Sequence, residues 1–344
     1  MTKKHTPLGV QEGFFKKPSD ASRRKLQIAV GYFDSYMNVL ARGREAGYAD
    51  LFAGPGRYES GEKSVPIVIC ERVVADERLR NLVRLWFNEG DPDWAAQLDR
   101  NIKAVDGIST LRYEPRVTRI LISKALAPRL ERLSIPTFTF ADPCGYKGLS
   151  LRLITAALKG FGNDCLFFFN YNRVNMKLGY PIMDESINEF FEPERAATLR
   201  KEVGALTPPA REKRVLAAID EALRQAGAIP LTFAFRTREG GGTSHHLVFA
   251  SKSRKGTTIM KSLMNRASSK SLRASVLGIS THATKESVNW ISSAASTKCV
   301  SERSPHSPAE HSHLTRSSRK KWPSRDIPRL IIVTHCWNWN LKRG

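Results

Sequence analysis

A short apolar run that ends at two glycines constrains the fold of this chain more than any other segment (YADLFAGPGRY, residues 48–58). Its first part, Tyr48–Ala53, predicts a buried β-strand, and Gly54–Gly56 predicts a tight turn directly after it. Glycine allows a positive φ and lets the backbone approach a ligand closely. The next stretch, Pro66–Val74, predicts a helix whose N-terminal N–H groups face the turn. This order of strand, glycine turn and helix indicates a nucleotide-binding βα unit.

Strands and helices alternate along the rest of the chain, as the spacing of apolar residues indicates. An amphipathic helix of about 20 residues, with its N-cap at Ser19-Asp20, precedes the glycine turn. After the turn, the predicted strands are Leu82–Phe87, Ser109–Pro115, Pro136–Ala141 and Cys165–Tyr171, and the predicted helices are Trp94–Val105, Arg119–Leu133, Leu149–Leu158, Ile187–Val203 and Ala210–Ala226. Two last strands, Ile229–Phe235 and His245–Ala250, predict a hairpin across Gly240–Gly242.

The predicted strands are apolar on both faces, which indicates a mostly parallel sheet covered by helices on two sides. The expected fold is therefore α/β and Rossmann-like, with an antiparallel hairpin that closes the sheet. We expect this domain to span residues 19–265. A flexible N-terminus, residues 1–18, would precede it, and a basic, Ser-rich tail, residues 266–344, would follow it.

Composition favours an acidic partner, most simply nucleic acid. The chain has 55 Lys and Arg against 33 Asp and Glu, a formal net charge of +22. Its five cysteines are scattered without a CxxC pair, which disfavours a disulfide framework or a Cys-rich zinc site and suits a reducing cytosol. No apolar run approaches the roughly 20 residues that cross a bilayer. We therefore expect a cytoplasmic protein with no membrane partner.

Two carboxylates and the glycine turn are the predicted cofactor-binding elements. Asp50, Phe52, Gly54 and Gly56 belong to the turn, where the backbone would surround a ligand. Glu89 follows the second strand, about 35 residues after the turn, where a carboxylate accepts hydrogen bonds from ribose hydroxyls. Asp91 or Asp93 would serve there equally well. A loop of solvated acids explains the same residues.

A second polar turn follows the fourth strand, in the sequence Asp142-Pro143-Cys144-Gly145-Tyr146. A related Asp/Asn-Pro-Pro-Tyr/Phe turn in amino-methyltransferases holds the target amine by hydrogen bonds and stacks its base on the aromatic ring. By that likeness Asp142 would accept from the amine and Tyr146 would stack on the base. A base inside a duplex would first have to be flipped out. A structural β-turn is the alternative.

The fifth strand ends in Asn170-Tyr171-Asn172-Arg173, on the same edge of the predicted sheet. Ligands of open α/β sheets bind outside the carboxyl ends of the strands, so Asn170 and Arg173 are candidate substrate-binding residues. A plain loop explains them equally well. His245 and His246 occupy adjacent strand positions and point to opposite faces, so they cannot bind one metal ion as a pair. We predict no metal site.

A phosphate-binding P-loop is a competing interpretation of the segment from Gly56 to Ser64. The P-loop motif requires Gly and Lys to be adjacent, whereas Glu62 separates Gly61 from Lys63. An acidic side chain in a phosphate cradle is also unfavourable. The glycine turn of a dinucleotide-type fold is therefore the better interpretation.

Several segments resemble, in order, the three-Cys-motif partner protein family (TcmP), over roughly residues 20–265. They are DLFAGPGRYESGEKSVPIVI, the Asn88–Pro92 turn, FADPCGYKGL, FFFNYNRVN and TSHHLVFASKSRKGTTIMKSLM. Members of that family usually have Asp-Pro-Phe-Gly-Tyr, so Cys144 is a local departure. The resemblance implies a class I methyltransferase fold and a radical-SAM-like partner protein that carries the three-cysteine motif. It implies no established reaction.

Two hypotheses of function remain. In the first, the chain transfers a methyl group from S-adenosylmethionine to nucleic acid together with the three-Cys-motif partner. Asp50, Phe52, Gly54, Gly56 and Glu89 would bind the cofactor, and Asp142 and Tyr146 would orient the acceptor. In the second, the chain keeps the fold but lacks catalysis, and binds nucleic acid or the partner protein.

The tail differs from the domain in composition. Residues 267–344 contain 16 Ser and four of the six Trp, and no helix with a sustained apolar face can be drawn through them. A disordered basic tail is one interpretation. A second hypothesis is that a shift of reading frame near Arg266 produced this segment. We then expect one of the other two frames of the gene to encode a patterned continuation, and two unpatterned frames would contradict the hypothesis.

Overall fold

The computed structural model describes residues 15–143, 148–178, 185–236 and 243–274. Within these ranges the strands are β1 (Ala46–Asp50), β2 (Val83–Asn88), β3 (Arg116–Thr118), β4 (Thr137–Ala141), β5 (Asp164–Phe169), β6 (Ile229–Arg236) and β7 (Thr243–Ser251). The helices are α1 (Asp20–Leu40), α2 (Val65–Ala75), α3 (Glu77–Leu82), α4 (Pro92–Lys103), α5 (Ala127–Glu131), α6 (Leu151–Ala157), α7 (Tyr171–Leu178), α8 (Glu185–Phe191), α9 (Pro193–Val203), α10 (Pro208–Gln225) and α11 (Arg254–Ala274). No helix in the described ranges is long and apolar enough to span a membrane.

The seven strands form one sheet in the order β3-β2-β1-β4-β5-β7-β6. Neighbours from β3 to β5 are parallel, whereas β7 is antiparallel to both β5 and β6. This order and polarity are those of a class I methyltransferase sheet. The predicted fold class, including the closing hairpin of β6 and β7, is confirmed.

Two apolar cores cover the two faces of the sheet, as the apolar strands predicted. Side chains alternate between the faces along each strand. On β5, Leu166 and Phe168 belong to the core under α1, α2 and α11, while Phe167 and Phe169 belong to the core under α6, α9 and α10. We name these the first and second cores. Both faces of the central strands are therefore removed from solvent.

Helix α1 lies on the first core and begins at the cap that the sequence predicted. The Ser19 hydroxyl accepts from the N–H of Ser22 at 3.1 Å, and Asp20 places negative charge in the first turn. The buried face of α1 includes Ile28, Tyr32 and other residues at spacings of three and four. Because helices and parallel strands run in opposite directions here, the first turns of α1 lie at the carboxyl edge of the sheet.

Two predicted elements between β2 and β4 are wrong in position. The third strand is Arg116–Thr118 and not Ser109–Pro115, because it pairs only with the last three residues of β2. The predicted helix Arg119–Leu133 is reduced to a 3-10 turn and the short α5. Its first part is not helical, because the side chain of Asn88 bonds both the N–H and the carbonyl of Ile120.

Two further predicted boundaries change for local reasons. The helix predicted over Ile187–Val203 is two helices, α8 and α9, with a break at Glu192, whose φ is +70°. Pro193 follows, and proline cannot continue the preceding helix but suits the first turn of a new one. The strand predicted to end at Tyr171 ends at Phe169, because Asn170 caps helix α7.

Helix α11 contains Arg266 and continues to Ala274, so the described domain extends beyond the expected boundary at residue 265. Ala267 is buried, and its carbonyl accepts from Arg24 on α1 at 3.2 Å. The rest of the expected tail (275–344), residues 1–14 and the Gly240–Gly242 turn lie outside the described residues. The hypothesis of a shifted reading frame remains a prediction.

A buried polar cluster joins α1, β5, β7 and α11 at the amino edge of β5. The Tyr32 hydroxyl donates to the Asp164 carboxylate at 2.5 Å, and burial raises the pKa of Asp164 to about 6. Gly256, in the first turn of α11, faces this cluster. A Cβ there would lie 2.7 Å from Tyr32 Oη and 2.9 Å from Ser251 Oγ. The glycine is therefore required by close packing.

We expect Gly256→Ala to destabilise the protein by up to ~2 kcal/mol in urea denaturation. Alanine favours a helix by ~1 kcal/mol over glycine, but overpacking at a rigid buried site costs ~1–3 kcal/mol. Gly204→Ala is the control, because a Cβ at Gly204 has no neighbour closer than 3.8 Å and its φ is −58°. A Gly256→Ala variant as stable as Gly204→Ala would contradict the packing argument.

Candidate functional site

The carboxyl ends of β1, β2 and β4 bring three predicted acidic residues to one edge of the sheet. Asp50 ends β1, Glu89 directly follows β2, and Asp142 directly follows β4. The strands are neighbours, with Asp50 paired to Phe87 on one side and to Phe140 on the other. Negative charge on Asp142 and Glu89 acts on Asp50. The predicted clustering of Asp50, Glu89 and Asp142 is therefore present.

The glycine turn between β1 and α2 uses the conformational freedom that its sequence predicted. Gly54 has φ +64° and Gly56 has φ +85°, a region that other residues rarely adopt. A Cβ at Gly54 would lie 3.0 Å from the ring of Phe15, and one at Gly56 would lie 3.0 Å from Leu98. A larger residue at either position would have a strained backbone conformation and would also clash with the neighbouring side chain.

Side chains from β2, α4 and α2 fix this turn. Asn88 is fully buried, its own carbonyl accepts from Ala53, and its amide donates to the carbonyl of Leu51 at 3.2 Å. Asn101 donates to the carbonyl of Pro55 at 2.7 Å. Ser64 donates to the carbonyl of Gly56 at 2.8 Å. The turn is therefore held in one conformation by buried hydrogen bonds.

Glu89 contacts the glycine turn directly. One carboxylate oxygen accepts from the N–H of Gly54 at 2.9 Å, and the other accepts from the N–H of Asp91 at 2.9 Å. Burial raises the pKa of Glu89 above its usual range, while these two hydrogen bonds oppose the rise. A carboxylate oxygen can accept two hydrogen bonds, so each oxygen of Glu89 can still accept one from a ribose hydroxyl.

The two alternatives to Glu89 occupy other positions. Asp91 is the N-cap of α4, where its side chain accepts from the N–H groups of Asp93 and Trp94, both at 3.0 Å. Asp93 is an exposed residue in the first turn of that helix. Glu89, by contrast, accepts a hydrogen bond from the glycine turn.

Asp50 is 1% exposed and accepts hydrogen bonds from within its own strand and turn. The N–H of Phe52 donates to it at 3.1 Å, and the Tyr48 hydroxyl lies 3.5 Å away. Burial raises the pKa of Asp50 to about 8, and the neighbouring charges of Asp142 and Glu89 act in the same direction. A buried carboxyl that favours its neutral form is a typical feature of a functional site.

Asp142 forms an ion pair with Lys25, a residue that the sequence analysis did not select. The Lys25 Nζ lies 2.5 Å from Asp142 Oδ2 and 4.0 Å from the centre of the Phe168 ring. Lys25 is 8% exposed. Its position precedes the buried residues Ile28 and Ala29 by three and four, so its place on the buried face of α1 was the signal available.

The strands β5 and β7 supply the other side of the site. His245 stacks on Phe168 with ring centres 4.6 Å apart, and burial lowers the pKa of His245 to about 4. The positive charges of Lys25 and Arg173 lower it further, so the imidazole is neutral at neutral pH. Arg173 is thus placed near the carboxyl edge, as predicted for a substrate-binding residue.

The adjacent histidines point to opposite faces, as predicted. His246 is buried on the second core, where its Nε2 lies 3.1 Å from Glu212 on α10. The remaining predicted substrate residue, Asn170, is the N-cap of α7, and its side chain accepts from the N–H of Arg173 at 3.2 Å. This contact gives Asn170 a structural role. The predicted stacking residue Tyr146, with Cys144, lies outside the described residues.

An aromatic residue near the N-terminus covers the glycine turn. Phe15 packs edge-on against Trp94 at 4.7 Å and also contacts Tyr58 at 5.7 Å. Its carbonyl accepts from the N–H of Glu59 at 2.7 Å. Phe52, predicted to bind cofactor, packs its ring against the second core. Phe15 and Trp94 are therefore the aromatic side chains at this turn that sequence patterns did not reveal.

The site as described has an acidic side and a basic side. Asp50, Glu89 and Asp142 suit a ligand that carries positive charge and hydroxyl groups. Lys25 and Arg173 lie toward β5 and α7, where an acceptor with negative charge would be favoured. In the described ranges, no group of three or more His, Cys, Asp or Glu side chains could hold a metal ion.

Several solved structures that are similar to this one are methyltransferases. The methyltransferase domain of a bacterial protein, CtHen1, gives a TM-score of 0.36 at 9% identity, over 66% of this chain and 99% of that domain. A SAM-dependent methyltransferase from Agrobacterium tumefaciens gives 0.39 at 12% identity, over 72% of this chain and 69% of that one. The METTL16 methyltransferase domain gives a TM-score of 0.36 at 15% identity, over 69% of this chain and 70% of that one.

No protein-family model matches the chain, and no curated protein matches it. The chain has a methyltransferase-like fold, and this statement rests on the order and polarity of its own strands.

We expect Asp50→Asn to gain stability over the wild type as the pH rises. A carboxyl whose folded pKa is raised contributes stability that is complete below its unfolded pKa, near 4, and lost as the pH rises toward 8. Asparagine cannot ionise, so the difference in unfolding free energy should grow by roughly 2–4 kcal/mol between pH 5 and pH 8. Urea denaturation at several pH values measures it.

The control for this prediction is Asp99→Asn. Asp99 forms an exposed i,i+4 ion pair with Lys103 on α4, and such pairs contribute little to stability. Its difference from the wild type should stay nearly constant over the same pH range. If the difference in unfolding free energy between Asp50→Asn and the wild type is equally constant, folding does not raise the pKa of Asp50.

Proposed function

We propose that this protein binds S-adenosylmethionine at the glycine turn and transfers its methyl group to nucleic acid. The observation that carries the proposal is the hydrogen bond from Gly54 N–H to Glu89 at 2.9 Å, which joins the turn after β1 to the carboxylate after β2. In dinucleotide-type folds these two positions hold one ligand. The positive φ of Gly54 and Gly56 and the tethered loop carbonyls supply a fitted backbone surface.

The residues fit the chemical groups of this cofactor. The carboxylates of Asp50 and Glu89 suit its ammonium and ribose hydroxyls, and the aromatic ring of Phe15, which packs on Trp94, lies beside the turn. When bound, S-adenosylmethionine supplies a methyl group that is already electrophilic. The protein then has mainly to position the acceptor.

Asp142 would orient the acceptor from the end of β4. An ionised carboxylate accepts an N–H hydrogen bond, which directs the lone pair of an amine toward the methyl group. The acceptor nitrogen would receive the methyl group that the cofactor supplies, and the amine proton would leave to solvent. Tyr146 would stack on the base, as the sequence predicted.

Nucleic acid is the proposed acceptor because of charge. A net charge of +22 favours association with a polyanion, and Lys25 and Arg173 place positive charge on the acceptor side of the site. The resemblance to the three-Cys-motif partner family further suggests a radical-SAM-like protein that acts together with this chain. That partnership is part of the proposal.

The second candidate function is a binding protein that keeps the fold without catalysis. One observation favours it: Phe15 already packs against Gly54, so an aromatic side chain occupies space beside the turn. In this case nucleic acid or the partner protein would be bound and no methyl group transferred.

Calorimetric titration with S-adenosylmethionine tests the proposal. We expect the wild type to bind, and we expect Gly54→Val to weaken binding at least ~10-fold, which is ~1.4 kcal/mol. Valine at φ +64° is strained and would crowd Phe15. Gly43→Val is the matched control, since Gly43 has φ +74° and open space around it, in the loop between α1 and β1. It should bind as the wild type does.

Each outcome decides between the candidates. A folded wild type that shows no heat at millimolar S-adenosylmethionine would overturn the methyltransferase proposal. Equal weakening by Gly54→Val and Gly43→Val would show that the glycine turn has no special part. Binding at the turn without methyl transfer to RNA or DNA, in the presence of the partner protein, would support the non-catalytic function.

A further inference from the structure

Lys25 is buried at the carboxyl edge of the sheet, although lysine is among the residues least often buried without a partner. Its 8% exposure is imposed by α1, whose first turns cover the ends of β4 and β5. The ammonium contacts the Asp142 carboxylate at 2.5 Å and the face of the Phe168 ring at 4.0 Å. Both contacts favour a positive charge at this point.

The charges around Asp142 explain why a lysine is needed there. Asp50 on β1 and Glu89 after β2 are carboxylates on neighbouring strands, and the charge of Asp142 acts on Asp50. Lys25 is the cation in direct contact with Asp142. On the far side of Lys25, β7 contributes His245, which is neutral at neutral pH. Arg173 on α7 acts on that same histidine. Asp142 thus has one close ammonium, that of Lys25, and the carboxyl groups of Asp50 and Glu89 on the neighbouring strands.

We propose that Lys25 is a positioning residue that keeps Asp142 ionised and fixed in the orientation in which it accepts a hydrogen bond from the methyl acceptor. The catalytic part of this proposal rests on the proposed function, whereas the coupling of charge between Lys25 and Asp142 does not. Its physical basis is the close approach of the ion pair at a site where water screens it little.

Loss of the ammonium has a definite chemical consequence. Without Lys25, the partly buried carboxylate of Asp142 loses its close counter-ion, which disfavours the charged form relative to the protonated one. A protonated carboxyl donates a hydrogen bond through its O–H and accepts less well. An amine acceptor would then lose its partner. If Lys25 had a purely structural role, its replacement would lower the free energy of unfolding by the same amount at every pH.

A pH-dependent double-mutant cycle separates these two roles without requiring activity. It compares the wild type with Lys25→Met, and Asp142→Asn with the double variant, by urea denaturation from pH 5 to pH 8. Methionine keeps the apolar stem of the side chain and removes the charge. The ratio of the unfolding constants, Lys25→Met over wild type, should rise at least ~10-fold with pH, because ionisation of Asp142 then opposes folding. In the Asp142→Asn background the ratio should stay constant.

Three further variants complete this experiment. Lys25→Arg keeps the charge and should restore the pH dependence of the wild type. Lys103→Met removes a lysine from an exposed Lys–Asp pair of similar length, 2.7 Å, and should give a ratio that does not change with pH. If Lys25→Met does not fold, Lys25→Gln gives the same comparison. A ratio independent of pH in the variant that folds would overturn the proposal.

Methyl transfer supplies a second readout, with a mixture of unmodified RNA and DNA as acceptor. The acid limb of the kcat/KM profile should move to higher pH in Lys25→Met and return in Lys25→Arg. Calorimetric affinity for S-adenosylmethionine should remain within about twofold of the wild type, since Lys25 contacts Asp142 and Phe168 on the acceptor side of the site. An unmoved profile would overturn the catalytic role. Absence of cofactor binding by the wild type would overturn the proposed function and leave the double-mutant cycle to decide the coupling.

Discussion

The side-chain amide of Asn88 is the contact on which the carboxyl edge of this protein depends. It donates to the carbonyls of Leu51 and Ile120 and accepts from the N–H of Ile120 and the hydroxyl of Thr118. One fully buried side chain thereby joins the turn after β1, the end of β2 and the loop after β3. A buried network whose members are all satisfied gives a rigid arrangement. Glu89, the next residue, is placed against Gly54 by that rigidity.

Sequence patterns predicted the parts of the fold that depend on local chemistry. The Ser19 cap, the glycine turn and the apolar strands other than the third each follow from residues close together in the chain, and each is present. The segment directly after Thr118 was predicted as helix and is not helical, because Asn88, some 30 residues earlier, forms hydrogen bonds with its backbone. A side chain so distant in sequence leaves no periodic signal. Similarly, the spacing of apolar residues predicted one helix over Ile187–Val203, and Pro193 begins a second helix within that segment.

The candidate site was likewise predicted only in part from the sequence. Asp50, Glu89 and Asp142 were predicted because residues at strand ends share one edge in a parallel sheet. Lys25 was not predicted, because a lysine on an amphipathic helix is usually assigned to the solvent face. Only the packing of α1 over β4 and β5 shows that its charge is directed inward. The position of the acidic residues therefore follows from the order of the strands. The position of the lysine that pairs with Asp142 follows from the tertiary packing of α1.

The neutral Asp50 carboxyl has a thermodynamic consequence for binding. With a pKa of about 8, this group holds a proton through much of the neutral range. A cation bound beside it would favour the ionised form and expel that proton into the buffer. The apparent affinity for such a ligand would then increase with pH up to about 8. The heat of binding would vary with the ionisation enthalpy of the buffer, so proton release would reveal a ligand's charge before its identity is known.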